Sequence, residues 1–350
     1  MQTGQVTDIA DGGKIPDNDV IYQINTFGAD FTVDGLVVRF KRGDIYRPAF
    51  QRNFVWSLAQ ASKFIESILL GLPVPSVFLY REEDTQQHLI VDGLQRLTTL
   101  HSFYTEVFPT TERVFRLKDV RARYENKSLR ELPLEDQRRF EDAVIHAMII
   151  QQTAPQQDKS SVFHIFERLN SNGTPLEPQE IRSAIYHGRF QELIYDLNQF
   201  PLWRDVFGPI HKRSKDEELI LRFFAFVYDR DNYVSPMKLF LNNFMSVNRN
   251  LDVFDARTAK SLFQDTLTVI HEGIGEKAFR LTRSLNAAIF DSFMPAVAIE
   301  RVRDPKVVER AYNALLSDND YVRYVSKATA NEKNVEGRLS LALQAVRAAV

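Results

Sequence analysis

Apolar and polar positions form two kinds of pattern along the first 155 residues, one typical of helices and one typical of strands. Between Ser57 and Gly71 the apolar residues recur at helical spacing, which predicts a helix with Ser57 as its N-cap and Gly71 as its stop. Two short runs rich in β-branched and aromatic residues, 76–80 and 88–91, flank a polar turn and predict a hairpin. Directly after this hairpin, the pattern predicts another helix over residues 94–104.

Helical spacing of apolar residues dominates from residue 160 onward. Apolar residues keep helical spacing in four long stretches: 217–227, 257–270, 285–299 and 307–316. Residues 112–142 carry dense charges of both signs, which predicts a solvated helix face there, with a nucleic-acid surface as the alternative. One more strand is predicted over residues 146–152. We therefore expect an α+β protein that divides near residue 155 into an α/β half and an all-helical half.

The composition is that of an ordinary globular protein. Of the 350 residues, 44% are hydrophobic and 26% are charged, in a chain long enough for about two domains. Lys and Arg number 44 against 46 Asp and Glu, which excludes a uniformly basic protein but not a local basic patch. The chain has 0 Cys, which excludes a disulfide scaffold, a Cys-ligated metal centre and a thiol nucleophile. Its N-terminus is polar and acidic and no apolar run approaches ~18 residues, so we expect a cytoplasmic protein without a membrane partner.

The strongest local motif has the sequence V-D-G-L-Q-R-L-T-T-L over residues 91–100. A strand end, a Gly that permits a tight turn and a helix start follow one another, and the free N–H groups of a helix start favour anions. Arg96 adds a planar donor suited to phosphate oxygens, and Asp92 can hold Mg²⁺ or orient a water. Gln95 and Thr98 can hydrogen-bond a nucleotide. On the residues alone, the alternative is that Asp92 caps the helix while Arg96 forms a salt bridge.

Two other segments combine turn residues with charged and aromatic side chains. The first, Y-R-P-A-F-Q-R-N-F-V-W over residues 46–56, sets Gln51 and Arg52 among aromatic rings, an arrangement that suits a phosphate contact beside a stacked base. The second, F-E-R-L-N-S-N-G-T-P-L over residues 166–176, predicts a helix end and an Asn/Gly turn before the next helix. Buried loop aromatics and a simple helix–turn–helix corner are the structural alternatives.

Taken together and in this order, the three segments resemble the N-terminal domain of GmrSD-type, modification-dependent restriction enzymes. The stretches 213–224, with the pattern R-x-x-D-x-E-L-x-L-R-F, and 328–338 are similar to later parts of that domain. The resemblance therefore covers about residues 20–350. It implies a ParB/sulfiredoxin-like core followed by a helical region, and with the sequence pattern it gives three parts: a flexible lead-in over 1–19, a nucleotide-binding domain over 20–155 and a helical domain over 156–350.

The resemblance also implies a function. In the family, the DGQQR-type motif contributes to binding and hydrolysis of a nucleoside triphosphate (NTP), and the Q-R segment lies near the same pocket. The candidate catalytic residues are then Asp92 and Arg96, with Mg²⁺ assigned to Asp92. The candidate nucleotide-binding residues are Gln51, Arg52, Gly93, Gln95 and Thr98. We expect an NTP-binding and NTP-hydrolysing sensor or regulator of a DNA restriction or phage-defence system, in which hydrolysis changes the contacts between the two halves.

Two departures from the family pattern modify this expectation. Leu94 stands where the family usually has the first Gln of its motif, which weakens the expectation of hydrolysis more than that of the fold. The sequence also lacks an HNH nuclease signature, because none of its 7 His is followed by Pro at the third position. We therefore expect a chain that acts without a nuclease domain of its own and has a separately encoded nuclease as a partner.

Other functions stay open on the sequence. A non-catalytic DNA-binding adaptor would use a group of polar and basic residues: His211, Lys212, Arg213, Ser214 and Lys215, with Arg121, Arg123, Lys127 and Arg130. A chain with a decayed pocket would only bind a nuclease, and a ParB-like kinase stays open by fold analogy. Whether the chain forms a homo-oligomer is also open.

Overall fold

The computed structural model describes residues 6–7, 23–47, 54–83, 85–154, 160–169 and 177–350. The chain divides into two compact units: one spans Ile21–Pro175, and the other combines Met1–Val20 with Leu176–Val350. A mixed β-sheet lies in the first unit and helices make up most of the second, so the expected α+β class is confirmed. The ParB/sulfiredoxin-like topology and the domain limits at residues 19 and 155 stay predictions.

Strands and helices are interspersed in the first unit. The first described element of the chain is β1 (Val6–Thr7), which belongs to the second unit. The first unit then contains β2 (Gln23–Thr32), α1 (Val33–Arg42), β3 (Ile45–Tyr46), α2 (Leu58–Leu69), β4 (Val77–Arg81), β5 (His88–Asp92), α3 (Leu94–Tyr104), α4 (Leu134–Glu141), β6 (Val144–Ala154) and α5 (Ser160–Leu169). The predicted hairpin, the helices predicted over 57–71 and 94–104 and the strand predicted over 146–152 are confirmed, and β6 is longer than predicted.

Five strands form one mixed sheet in the order β2-β6-β4-β5-β3. β2 and β6 are antiparallel, as are β4 and β5, whereas β4 with β6 and β3 with β5 are parallel. Leu79 of β4 lies opposite Ile90 of β5, and both are buried in a core that also contains residues of α1, α2, α3 and α4. The sheet thus fixes the end of β5, where the first motif begins.

Local sequence explains where α2 starts and stops. Ser57 Oγ accepts a hydrogen bond from Gln60 N at 3.2 Å, and Gln60 Oε1 accepts one from Ser57 N at 2.9 Å, which completes a capping box. Ala61 and Ile65 lie on its buried face, as the spacing predicts. Gly71, just after the helix, has φ +70°, a backbone conformation that ends a helix readily.

The charged stretch 112–142 is not the helix that its charge pattern predicted. It consists mainly of turns, with a 3-10 helix over Leu129–Glu131 and the short α4. Widely spaced aromatic residues anchor it, since Phe115, Tyr124 and Phe140 are all buried in the core of the first unit. The prediction failed because these anchors follow no helical period, whereas the many charges between them suggested one continuous exposed face.

From residue 178 onward, the described part of the second unit consists of ten α-helices, one short strand and a 3-10 helix over Arg230–Asn232. The α-helices and the strand are α6 (Pro178–Ile185), α7 (Arg189–Asn198), α8 (Pro201–Phe207), α9 (Lys215–Tyr228), α10 (Met237–Val247), α11 (Ala256–Ile274), β7 (Leu285–Asn286), α12 (Ala287–Ile299), α13 (Pro305–Ser317), α14 (Asn319–Ser326) and α15 (Glu332–Ala349). Helices α9, α11, α12 and α13 confirm the four predicted stretches. The short β7 pairs in parallel with β1, a strand that the helical pattern did not predict. Within the described ranges, no helix is long and apolar enough to cross a bilayer.

A chain of buried ion pairs joins four helices of the second unit. Arg182 of α6 contacts Glu218 of α9 at 3.0 Å, and Glu218 contacts Arg222 at 2.8 Å. Arg222 reaches Asp291 of α12 at 3.3 Å, and Asp291 pairs with Arg338 of α15 at 2.9 Å. Burial opposes ionisation of Glu218, but the guanidinium groups of Arg182 and Arg222 outweigh it and lower the pKa of Glu218. All five side chains are buried, so their charges depend on one another rather than on water.

Candidate functional site

A glycine turn connects the end of β5 to the start of α3. Gly93 is the N-cap of α3 and has φ +100°. A Cβ added there would lie 2.7 Å from Val77 Cγ1, so both the backbone conformation and the available space require glycine. The intrahelical ladder begins when Leu97 N donates to Gly93 O at 2.9 Å, so the preceding N–H groups of the first turn are not part of it. Within the described part of the chain no side chain caps this helix, and the interpretation of Asp92 as its cap is therefore wrong.

The two candidate catalytic residues lie together at this turn. Arg96 Nη2 donates to Asp92 Oδ2 at 2.7 Å and to the Ser76 carbonyl oxygen at 3.0 Å. The Arg96 side chain is 16% exposed, whereas that of Asp92 is 41% exposed. The salt bridge considered as an alternative thus exists. It does not satisfy the whole guanidinium, because Arg96 Nε is enclosed and has no hydrogen-bond partner among the described residues.

Gln95 connects this turn to the segment that precedes α2. Its Oε1 accepts hydrogen bonds from Val55 N at 2.9 Å and from Trp56 N at 3.4 Å. The end of the second motif is therefore held against the first, although about 40 residues separate them in the sequence. Thr98 lies one turn further along α3 and is half-buried.

Two predicted binding residues, Gln51 and Arg52, lie outside the described residues, as does the predicted turn of the third motif over 170–176. Of the third motif, Phe166 is buried in α5. The helix predicted after the turn is α6, with Pro178 in its first turn.

Sequence reasoning did not identify an open groove beside Trp56. The groove has a volume of about 390 Å³ and is lined by Trp56, Ala59, Gln60, Lys63 and Asp119. Ala59, Gln60 and Lys63 occupy one face at the start of α2, and Trp56 precedes the helix. The four residues have helical spacing, which is a signal that could have identified them in the sequence. Asp119 belongs to a turn 56 residues beyond Lys63, and nothing in the local pattern associates it with that helix.

Carboxylates are sparse at the turn. Among the described residues, no group of three or more His, Cys, Asp or Glu side chains could hold a metal ion. Asp92 offers a single carboxylate. This is enough for Mg²⁺ that arrives with a nucleotide, because Mg²⁺ is commonly held by one or two carboxylates together with substrate phosphates and waters.

The basic residues considered for DNA binding are partly engaged in ion pairs. Arg213 contacts the buried Glu180 at 2.9 Å, and Arg123 contacts the fully buried Asp136 at 2.7 Å. Arg130 lies 3.7 Å from Glu106. Residues 211–215 and the basic residues between 121 and 130 also belong to different units.

The geometry defines a class of protein: an α+β domain whose sheet presents an Asp, a left-handed Gly and an Arg at the start of a helix. Residues 34–187 match the model of one family, the GmrSD restriction endonuclease, N-terminal domain. This segment is a GmrSD-type N-terminal domain, and the resemblance drawn from the three motifs is confirmed over these residues. The match associates the chain with restriction systems. Beyond residue 187 the resemblance stays a prediction, and no curated protein matches the chain significantly.

Proposed function

We propose that this protein binds an NTP at the start of α3 and hydrolyses it as a sensor or regulator of a DNA restriction or phage-defence system. The observation that carries the proposal is the state of Arg96. Asp92 and the Ser76 carbonyl hold its guanidinium in place at the start of α3, and the Arg96 side chain stays 16% exposed. An oriented cation next to helix N–H groups suits a phosphate oxygen.

Each residue of the turn then has a distinct part in binding. Gly93 lets the chain turn directly into α3, whose first N–H groups precede the intrahelical ladder, and no described side chain caps them. Arg96 neutralises phosphate charge from a fixed position, which costs little reorganisation when the nucleotide binds. Gln95 fixes the segment that follows Gln51 and Arg52, the two further residues proposed to contact the nucleotide.

Asp92 is the residue of the turn that would hold Mg²⁺ brought in with the nucleotide. The ion would supply charge neutralisation between phosphate oxygens. Asp92 also holds Arg96 in its present position, so it is expected to act on phosphate binding in two ways. Positioning and charge neutralisation are the main requirements of phosphoryl transfer, which makes this small set of groups chemically sufficient for slow hydrolysis.

The test is phosphate release and equilibrium NTP binding with Mg²⁺, measured for ATP, GTP, CTP and UTP with and without DNA. Arg96→Ala should lower NTP affinity at least about tenfold, since hydrogen bonds to charged groups contribute ~1.5–3 kcal/mol. Arg139→Ala is the matched control, because Arg139 pairs with Glu135 on the surface of the same unit. Circular dichroism verifies that both variants fold. Equal NTP affinity in wild type and Arg96→Ala would refute the proposal.

DNA affinity unaffected by any nucleotide would instead support the adaptor function. Binding of NTP without phosphate release would support the proposed binding site and refute hydrolysis, the step that Leu94 is expected to weaken most.

A further inference from the structure

The groove beside Trp56 is built from two rigid walls. One wall is the first two turns of α2, and the other is the turn that contains Asp119. We propose that this groove binds the nucleobase of the NTP, and that its side chains favour guanine. This inference rests on the proposed function, because it assigns the base to a groove next to the proposed phosphate site.

Trp56 is held as a fixed stacking surface. Its backbone N–H donates to Gln95, and its ring meets Phe64 edge-to-face with centroids 5.6 Å apart and an interplanar angle of 66°. Phe64 is itself buried, so one edge of the indole is fixed while part of the ring lines the groove. A base stacked on such a ring contributes ~1–3 kcal/mol to binding in nucleic-acid complexes.

The opposite wall is pinned to α2 by hydrogen bonds on both sides of Asp119. Ser62 Oγ accepts from Lys118 N at 3.0 Å, and Glu66 Oε1 accepts from Arg121 N at 2.7 Å. Within the turn, Glu125 accepts from Val120 N at 2.9 Å. Asp119 has φ +58°, so the turn holds it in a conformation that a free chain rarely adopts. The backbone of Asp119 therefore has a defined place relative to α2 before any ligand binds, and its side chain is exposed.

The polar groups of the groove match one base best. A carboxylate accepts two hydrogen bonds side by side, and guanine presents N1–H and its amino group next to each other. Adenine and cytosine present one amino donor beside a ring acceptor, and uracil presents one N–H between two carbonyls. Lys63, whose ammonium lies 3.0 Å from Glu66 Oε2, remains 59% exposed and can also donate to the guanine carbonyl.

The groove lies close to the proposed phosphate site. Gln95 is in the first turn of α3, and its side chain contacts the backbone of Trp56 directly. One side chain thus joins the start of α3 to the segment that carries the indole. The Arg96 site and the Trp56 groove would then bind opposite ends of the same molecule.

Tryptophan fluorescence tests this assignment in the full chain. The protein has 2 Trp, and Trp203 is fully buried in the second unit, so quenching by a bound base should come from Trp56. The ligand is GTP with Mg²⁺, the form that the proposed phosphate site would bind, and the fluorescence is read before turnover. We expect saturable quenching in wild type and in Trp203→Phe, and loss of that signal in Trp56→Phe.

Asp119→Asn tests the base preference by equilibrium binding of GTP and CTP. We expect GTP affinity to fall at least about tenfold, because two hydrogen bonds to a charged acceptor are weakened, and CTP affinity to change about twofold or less. Asp142→Asn, which alters an exposed Asp elsewhere in the first unit, is the control and should leave both affinities unchanged.

The outcomes separate this inference from the proposed function. NTP binding that depends on Arg96 but leaves Trp56 fluorescence and the Asp119→Asn affinities unchanged would overturn the groove assignment alone. Equal loss of GTP and CTP affinity in Asp119→Asn would overturn the guanine preference. If no nucleotide binds wild type, the proposed function fails first and the groove assignment fails with it.

Discussion

A half-buried acid at the start of α9, Glu217, should make the second unit less stable as the pH rises. Gln191 Nε2 donates to Glu217 Oε2 at 3.0 Å. Burial, helped by the neighbouring charge of Asp216, raises the pKa of Glu217 from 4.5 to about 7. The perturbation we consider is Glu217→Gln, which keeps the shape and an oxygen acceptor for Gln191 but cannot ionise.

The magnitude follows from the two pKa values. Between pH 4.5 and 7 the folded protein holds a proton on Glu217 that the unfolded chain releases, so the free energy of unfolding falls as the pH rises. The proton contributes its full stabilisation below about pH 4.5, and this is lost as the pH rises through about 7. The shift corresponds to about 3 kcal/mol. The free energy of unfolding of Glu217→Gln should therefore increasingly exceed that of wild type as the pH rises, by up to about 3 kcal/mol at pH 8.

The assay is urea unfolding between pH 4.5 and 8.5, followed by the fluorescence of Trp203. This residue is fully buried in the second unit, and Trp56→Phe in every protein compared leaves it as the single tryptophan, which is excited selectively over tyrosine. Glu192→Gln is the control, since it removes an exposed carboxylate next to Gln191 on α7. Its difference from wild type should stay within about 0.5 kcal/mol at every pH.

Two results would refute this reasoning. A stability difference between Glu217→Gln and wild type that does not change with pH would show that Glu217 has no raised pKa. If Glu217→Gln instead became less stable than wild type as the pH rises, the pKa of Glu217 would be lowered, and the folded protein would stabilise its charged form.

Two further predictions concern packing. Gly93→Ala should destabilise the first unit by about 2–4 kcal/mol, because it adds a clash with a buried Val to the strain of a positive φ. Gly71→Ala has a similar φ but open space, so it should cost only about 1 kcal/mol; equal urea midpoints for the two variants would contradict the clash. Arg338→Met should cost about 3–5 kcal/mol, because it leaves buried Asp291 short of one counter-charge. The control Arg347→Met removes an ion pair whose arginine is 62% exposed, and it should cost less than ~1 kcal/mol. Similar losses of unfolding free energy in both variants would show that the buried Asp291–Arg338 pair contributes no more than an exposed pair.

The elements that sequence predicted well are those specified by neighbouring residues. The start of α2 depends on Ser57 and Gln60, which are three residues apart, and the turn into α3 depends on Gly93. The ion pair between Asp92 and Arg96 also has helical spacing and was one of the two interpretations considered. These contacts are local, so pattern and propensity are sufficient to find them.

The contacts that sequence did not predict join distant residues. Asp119 reaches its groove because Ser62 and Glu66 bind the turn around it, and no periodicity connects residue 62 with residue 118. Arg213 looked like a surface cation in the sequence, whereas its carboxylate partner Glu180 lies 33 residues earlier in the chain. Buried charges do not follow the hydrophobic pattern on which such predictions depend.

The ion pairs that join α6, α9, α12 and α15 also set an order of events during translation. Asp291 is made 47 residues before Arg338. Until α15 emerges from the ribosome, Asp291 lacks the counter-charge of Arg338, and burying it is costly. These four helices therefore reach their final packing only after α15 has been made. Loss of α15 would affect the packing of helices that are encoded far upstream of it.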